Sequence, residues 1–119
     1  MENVDKEYRF ATYSSFRIED EKAAYMLHFG NYSGTAGDGI KEVNNMGFST
    51  KDKRFEKSAS HCINIKKGGW WYSDCGWSDP NGVNLPGPAN GNRFYMNWHP
   101  WTEYDSLLTI EIKLRSEKK

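Results

Sequence analysis

Two cysteines are the side chains of this sequence best suited to nucleophilic or metal chemistry. Cys62 and Cys75 are the only cysteines, and neither a Cys-x-x-Cys pair nor a suitably spaced pair of histidines accompanies them, so a zinc site is not favoured. His61 beside Cys62 could activate a thiol, but no acidic residue to orient the histidine accompanies the pair. A disulfide is the favoured interpretation. It would stabilise the fold by about 3 kcal/mol and would imply an oxidising compartment.

Other catalytic patterns are weak. The glycines from Gly34 to Gly39 could suggest a turn that holds a phosphate. The stretch lacks the Lys-Ser/Thr of a P-loop and no helical pattern follows it, so a structural loop is the better interpretation. Because paired carboxylates and nucleophile–base pairs are also missing, the sequence predicts a protein that is not an enzyme.

Length and composition limit the classes of protein that fit. The 119 residues suit one domain with a modest core. Sixteen basic and sixteen acidic residues cancel, which argues against nucleic-acid binding, and no apolar run could cross a membrane. The first residues lack the apolar segment of a secretory signal. The mean hydropathy is −0.87, yet 15% of residues are aromatic, so we expect an aromatic core that needs a staple.

The elements that would position these residues are short. Tyr8–Ile18 and Ala23–Phe29 predict two strands of a hairpin, with a polar turn between them. Gly30–Asn45 predicts a loop, and Pro80–Gly91, with three of the four prolines, predicts irregular structure.

The C-terminal segment has the clearest periodicity. Apolar and polar residues alternate strictly from Leu108 to Leu114. Period two with one apolar face predicts a half-buried antiparallel strand.

Several motifs together resemble the C-terminal half of a fibrinogen-related domain, the module of fibrinogen chains, ficolins, tenascins and angiopoietins. The most specific part is Phe-Ser-Thr-x-Asp, then Cys62, then Gly-Gly-Trp-Trp-Tyr-x-x-Cys. The similarity extends from about residue 8 to residue 114. Its motifs are Tyr13–Phe16, Tyr32–Asp38, Met46–Asp52, Cys62, Gly68–Tyr72, Cys75, Asn81-Gly82, Trp98 and Leu108–Leu114.

The resemblance implies an α+β fold in which a twisted antiparallel sheet joins a loop-rich subdomain stapled by Cys62–Cys75. The family domain is about twice as long as this chain. Residues 1–119 are therefore expected to form a single, N-terminally truncated domain.

A calcium site is implied by the family, whose members bind Ca²⁺ through acidic residues after Phe-Ser-Thr-x-Asp. Here Asp52 and Glu56 are the acids left, and Arg54 stands where the family has a carboxylate. Ca²⁺ needs about six to eight oxygen ligands, and Lys53, Arg54 and Lys57 make the loop basic. We therefore expect calcium to be a doubtful cofactor and predict no other.

A pocket for acetyl groups is implied by the lectin members. Gly76 replaces its histidine, and Asn84 and Leu85 replace its tyrosines. Tyr95 is the aromatic residue that remains, and Trp77 could assist it from a shifted position. Both are predicted ligand-binding residues.

The remaining tryptophans and one sequon complete the candidate sites. Trp70, Trp71 and Trp98 resemble core residues of the family, whereas Trp77, Tyr95 and Trp101 lie in loop-rich sequence and are candidates for an exposed surface. Asn31 begins an Asn-Tyr-Ser sequon, a glycosylation site if the chain is secreted.

The resemblance also concerns the backbone. In the family the peptide bond before the second cysteine is often cis, so the Asp74–Cys75 bond is a candidate for a cis peptide bond.

These features favour an extracellular recognition module that binds a protein partner. One alternative is an acetyl-group lectin with a rearranged pocket, and another is an incomplete fragment without a function of its own. The ligand is expected to be a protein or a glycan outside the cell, and a homo-oligomer or a longer parent chain remains open.

Overall fold

The computed structural model describes residues 1–56 and 62–116, and these form a mixed α+β architecture, as the resemblance predicts. The described strands pair as four antiparallel two-stranded ribbons: β1–β4, β2–β3, β5–β6 and β7–β8. No described helix is long and apolar enough to span a membrane. The elements are β1 (Ala11–Tyr13), β2 (Phe16–Ile18), a 3-10 helix (Glu21–Ala23), β3 (Leu27–Phe29), β4 (Tyr32–Gly34), β5 (Phe48–Ser49), α1 (Cys62–Lys66), β6 (Trp70–Trp71), β7 (Ser78–Asp79), β8 (Asn97–Trp98) and α2 (His99–Thr102).

The predicted hairpin exists as β2–β3, with Phe16 opposite Phe29. The first predicted strand, Tyr8–Ile18, is wrong as one element because it is broken between β1 and β2. Ser14 causes the break: its N–H donates to the carbonyl of Asn31 over 3.0 Å, and its Oγ accepts from the Asn31 N–H over 2.8 Å. The two halves therefore pair with different strands.

The second predicted strand is shorter than Ala23–Phe29. The backbone of Ala24 and Tyr25 has positive φ angles of 56° and 54°, which a strand cannot accommodate. The Asp20 side chain caps the preceding 3-10 helix by accepting from the Ala23 N–H. Sequence periodicity missed this capped turn.

The predicted loop Gly30–Asn45 contains one strand, β4. Tyr32 lies opposite Tyr13 on β1, and their rings are 5.8 Å apart. Gly34 ends β4 with a φ of 136°, and a Cβ there would lie 2.3 Å from the carbonyl oxygen of Phe10. Only glycine tolerates both conditions. Pro80–Gly91 contains no helix or strand, as predicted.

The core is rich in aromatic side chains and stapled by one disulfide. Trp70, Trp71 and Trp98 are 7%, 6% and 5% exposed, which confirms their assignment to the core. The Cys62–Cys75 disulfide is formed, with Cα atoms 5.2 Å apart, and it ties α1 to the segment after β6. Its stabilisation is about 3 kcal/mol.

The predicted C-terminal strand is wrong in the described part of the chain. Residues 111–116 have no regular structure, and the nearest pairing is an isolated bridge between Thr109 and Glu2. Ile112 and Leu114 are 59% and 67% exposed. A strand needs a partner for its N–H and C=O groups, and no described segment pairs with residues 111–116.

Candidate functional site

Residues 80–96 form a long irregular connection between β7 and β8, which is called the recognition loop below. Val83 fixes its two arms against each other: its N–H donates to the Phe94 carbonyl over 2.8 Å, and its carbonyl accepts from the Met96 N–H over 2.9 Å. Gly82 allows this approach, since a Cβ there would lie 2.6 Å from the Tyr95 carbonyl oxygen. The Asn-Gly motif therefore serves backbone packing.

The outer part of the loop is held to the following segment. The Ala89 N–H donates to Asp105 Oδ1 over 2.7 Å, and the Ser106 N–H donates to the Gly87 carbonyl over 3.0 Å. These bonds fix an irregular loop without regular structure. A loop held in this way can present side chains in a defined geometry.

The two predicted ligand-binding residues differ in exposure. Trp77, just before β7, is 39% exposed, whereas Tyr95 is only 8% exposed. The expectation that Tyr95 lies on an exposed surface is therefore wrong, because the pairing of Val83 with its neighbours buries it. Trp101 is half-buried, with the Arg9 guanidinium 5.1 Å from its ring centre. The ligand-binding roles of Trp77 and Tyr95 remain predictions.

Sequence reasoning missed the rings that continue from Trp77. The ring centres of Trp77 and His99 are 5.8 Å apart, and those of His99 and Tyr104 are 4.9 Å apart. Both added residues lie in or just after α2, and Pro100 at the start of α2 was the visible sign of that helix.

The recognition loop also exposes aliphatic side chains. Val83 is 41% exposed and Leu85 is 57% exposed. Leu85 is one of the positions where the resemblance expects a tyrosine. If that alignment holds, an exposed apolar group stands where the family has a tyrosine hydroxyl.

Gly76, which the resemblance aligns with a histidine, has a φ of 104°. A side chain there would be strained, and its Cβ would lie 3.2 Å from Val43 Cγ1. The adjoining Asp74–Cys75 peptide bond is trans, so the cis candidate is not realised.

Beneath the loop lies a buried polar cluster of Lys66, Tyr72 and Asp79. Asp79 is fully buried and Lys66 is 2% exposed. The Tyr72 hydroxyl contacts Asp79 Oδ1 over 3.3 Å and also bonds the Gly68 carbonyl. Lys66 Nζ and Asp79 Oδ2 have no hydrogen-bond partner among the described residues.

Burial dominates the titration of this cluster. It raises the pKa of Asp79 to about 8, although the Lys66 charge and the Tyr72 hydrogen bond act in the opposite direction. Burial likewise lowers the pKa of Lys66 and raises that of Tyr72. These groups are therefore enclosed within the fold and are not presented on its surface.

The predicted calcium loop has its two acids engaged separately. Asp52 accepts a hydrogen bond from Thr50 Oγ1 over 2.7 Å, which is the main cause of its lowered pKa. Glu56 accepts from Ser49 Oγ over 3.3 Å. Two carboxylates on different hydroxyls, with Arg54 between them in sequence, fit a calcium shell poorly. Lys57 lies outside the described residues.

The remaining candidates are quickly placed. Asn31 is exposed just before β4, and its glycosylation stays a prediction. Cys62 is held in the disulfide, so it offers no free thiol for nucleophilic catalysis. His61, its suggested base, lies outside the described residues.

The cavity found in the described structure lies elsewhere. It holds about 440 Å³ and is lined mainly by apolar side chains, including Met1, Leu27, Trp70, Ile110 and Leu114. Neither Trp77 nor Tyr95 lines it. The exposed end of the C-terminal segment forms one of its walls.

The sequence model for the C-terminal globular domain of fibrinogen beta and gamma chains matches residues 1–117. The chain belongs to this family. Techylectin-5A of Tachypleus tridentatus is 40% identical over 97% of this chain and 40% of its own length. Angiopoietin-related protein 7 of Homo sapiens is 38% identical over 98% of this chain and 35% of its own length.

The fold of this fibrinogen-family chain is shared with solved structures. The fibrinogen-like globe domain of human ANGPTL2 superposes with a TM-score of 0.86 and 34% identity. The alignment covers 91% of this chain and 51% of that one. The chain thus spans about half the length of that solved domain, and less than half of the two relatives above.

Proposed function

We propose that this fibrinogen-family chain is a non-enzymatic recognition module that binds a protein partner outside the cell through its recognition loop. The observation that supports this most is the exposure of Val83, Leu85 and Trp77 on or beside a loop that backbone hydrogen bonds hold in place. Exposed apolar and aromatic groups on a rigid frame are typical of protein-binding surfaces.

An extracellular setting agrees with the disulfide. Cys62 and Cys75 are both consumed in one bridge, and such bridges persist in oxidising compartments. Binding of the partner is proposed to need no calcium, since Asp52 and Glu56 are turned toward separate hydroxyl groups.

Protein binding is preferred to acetyl-group binding because the acetyl pocket lacks its polar walls. Gly76 adopts a backbone conformation that disfavours a histidine side chain, and Leu85 carries no hydroxyl. Tyr95 is buried, and its hydroxyl lies 3.5 Å from Asn92 Nδ2. A small polar ligand would find few donors here.

The second candidate function is that of an acetyl-group lectin with a rearranged pocket, in which Trp77 and Tyr95 bind the ligand. The observation that favours it is the 40% identity to techylectin-5A, a relative named as a lectin. An incomplete fragment without its own function is the third candidate, since the chain spans about half of a solved relative.

One experiment separates the first two candidates. The purified chain is applied to an array of extracellular proteins and, in parallel, to an N-acetylated resin, each with calcium and with a chelator. We expect saturable binding to one or a few proteins, unchanged by the chelator, and no retention on the resin. Calcium-dependent retention on the resin without any protein binding would replace this proposal with the lectin.

A further inference from the structure

In and beside the recognition loop, two exposed cations lie against a row of three neighbouring rings that meet at an angle. Lys41 Nζ lies 5.0 Å from the ring centre of Trp77, and Arg93 Cζ lies 5.1 Å from that of Tyr104. His99 joins the two rings at 5.8 Å and 4.9 Å. We call Lys41, Trp77, His99, Tyr104 and Arg93 the cationic ring strip.

The cations of the strip have no acidic partner among the described residues. Neither Lys41 nor Arg93 takes part in the ion pairs His28–Glu19 and Lys113–Glu111 of the described residues. Asp105, close in sequence to the strip, accepts instead from the Ala89 N–H over 2.7 Å. Glu42 and Glu103 also adjoin the strip in sequence, but neither pairs with Lys41 or Arg93.

Packing against the rings fixes where the two charges stand. Cation–π contacts of this kind are worth about 0.5–1 kcal/mol at an exposed site and hold a flexible side chain over the ring. Less side-chain entropy is then lost when Lys41 or Arg93 binds an anion. Lys67 repeats the arrangement next to the strip, with its Nζ 5.3 Å from the ring centre of Phe94.

We propose that the cationic ring strip binds an acidic peptide segment of the partner protein. The inference rests on the proposed function and states the chemistry of its ligand. Carboxylates would pair with Arg93 and Lys41, as in other acidic motifs recognised by basic clusters.

The geometry of the rings favours a peptide over a glycan. The planes of His99 and Tyr104 meet at 71° and those of Trp77 and His99 at 32°, so the strip offers no continuous flat face for a sugar ring. Lys41 also covers the ring of Trp77. Notches between tilted rings suit the side chains of an extended peptide.

The test uses the full chain and a fluorescein-labelled peptide of alternating Glu and Ser, with a Gln-for-Glu peptide as the uncharged probe. We expect the acidic peptide to bind, the neutral peptide not to bind, and Lys41→Gln with Arg93→Gln to weaken binding about tenfold or more. Arg17→Gln with Lys22→Gln is the matched control. It removes the same charges from exposed positions and should leave binding unchanged.

A second readout avoids any effect of substitution on folding. Carbodiimide cross-linking of the acidic peptide to the unaltered chain, mapped by mass spectrometry, should place the link at Lys41. The proposal is overturned if the peptide does not bind, if the control pair weakens binding equally, or if links fall as often on Lys22 and Lys51. Binding of a heparin oligosaccharide without the peptide would also overturn it.

The outcome is separable from that of the proposed function. If the array identifies a protein partner but the acidic peptide does not bind, the proposed function is kept. Only the proposal that the strip binds an acidic segment is then rejected. If the array identifies none, the recognition function itself fails.

Discussion

At the scale of single residues, Lys66 and Asp79 are the side chains whose burial is least expected from sequence. Lys66 ends α1 and Asp79 lies on β7, and each has a polar atom without a hydrogen-bond partner among the described residues. Buried charges of this kind rarely add stability, because desolvation offsets their attraction. Their sequence context, a Lys-Lys pair and a Ser-Asp-Pro turn, is typical of solvated loops.

This burial predicts a specific dependence of stability on pH. The pKa of Asp79 is raised to about 8 in the folded state from 3.8. Between these values the folded protein keeps a proton that the unfolded chain releases, so the free energy of unfolding should fall as pH rises. Asp79→Asn should therefore flatten the profile from pH 4 to pH 8, measured by urea denaturation.

The control is Asp5→Asn at an exposed position. The free energy of unfolding of this control variant should depend on pH as it does in the unaltered chain. An Asp79→Asn variant whose stability falls with pH as steeply as the parent's would contradict the assignment.

The calcium prediction also concerns single residues. Because the resemblance aligns Arg54 with a carboxylate ligand and Asp52 is bonded to Thr50, calcium is predicted to shift the thermal midpoint by less than about 1 °C. A ligand at about a hundred times its Kd would add about 2.7 kcal/mol and a clear shift. Arg54→Asp restores a carboxylate and is the matched variant. A shift of several degrees in the unaltered chain would contradict the expectation.

The burial of a single residue could be predicted from the sequence where it followed from a motif shared with the family. The burial of Trp70, Trp71 and Trp98 followed from the family resemblance. Tyr95 was misplaced because its burial depends on Val83, twelve positions earlier in the chain, and on the close approach of Gly82. Such contacts leave no periodic signal.

At the scale of elements, a strand prediction was confirmed where the predicted segment finds a partner strand close in sequence. The β2–β3 hairpin was predictable because its strands are close in sequence and its turn is polar. The break at Ser14 was not, since it depends on hydrogen bonds to Asn31. For residues 108–114 the alternating pattern is real, but only Thr109 forms a bridge, to Glu2, and residues 111–114 find no partner strand among the described residues.

This difference gives a prediction for the C-terminal segment. Leu107 is fully buried, so Leu107→Ala should lower the free energy of unfolding by about 2–5 kcal/mol. Leu114 is 67% exposed, so Leu114→Ala should change it by less than about 0.5 kcal/mol. Urea denaturation measures both. Equal losses would mean that the segment packs as the half-buried strand that its periodicity predicts.

At the scale of the whole molecule, the zero net charge does not mean that charges are balanced everywhere on the surface. Sixteen acids and sixteen bases cancel in total, yet Lys41 and Arg93 stand on rings without a carboxylate partner among the described residues. The chain also spans about half of a solved relative, and its C-terminal segment forms a wall of an apolar cavity.

This span gives a prediction for unfolding. If the chain is a self-sufficient module, it should unfold in one cooperative transition, measured by thermal denaturation. Gradual melting would favour the incomplete fragment.

The most direct test of the account compares two pairs of exposed apolar residues in binding to the protein partner that the array identifies. Val83→Ser with Leu85→Ser alters the recognition loop. Ile112→Ser with Leu114→Ser makes the same kind of change at exposed positions on the C-terminal segment. The account predicts that the loop pair weakens affinity by about tenfold or more and that the C-terminal pair leaves it unchanged. Unchanged binding by the loop pair, or an equal loss in the C-terminal pair, would contradict it.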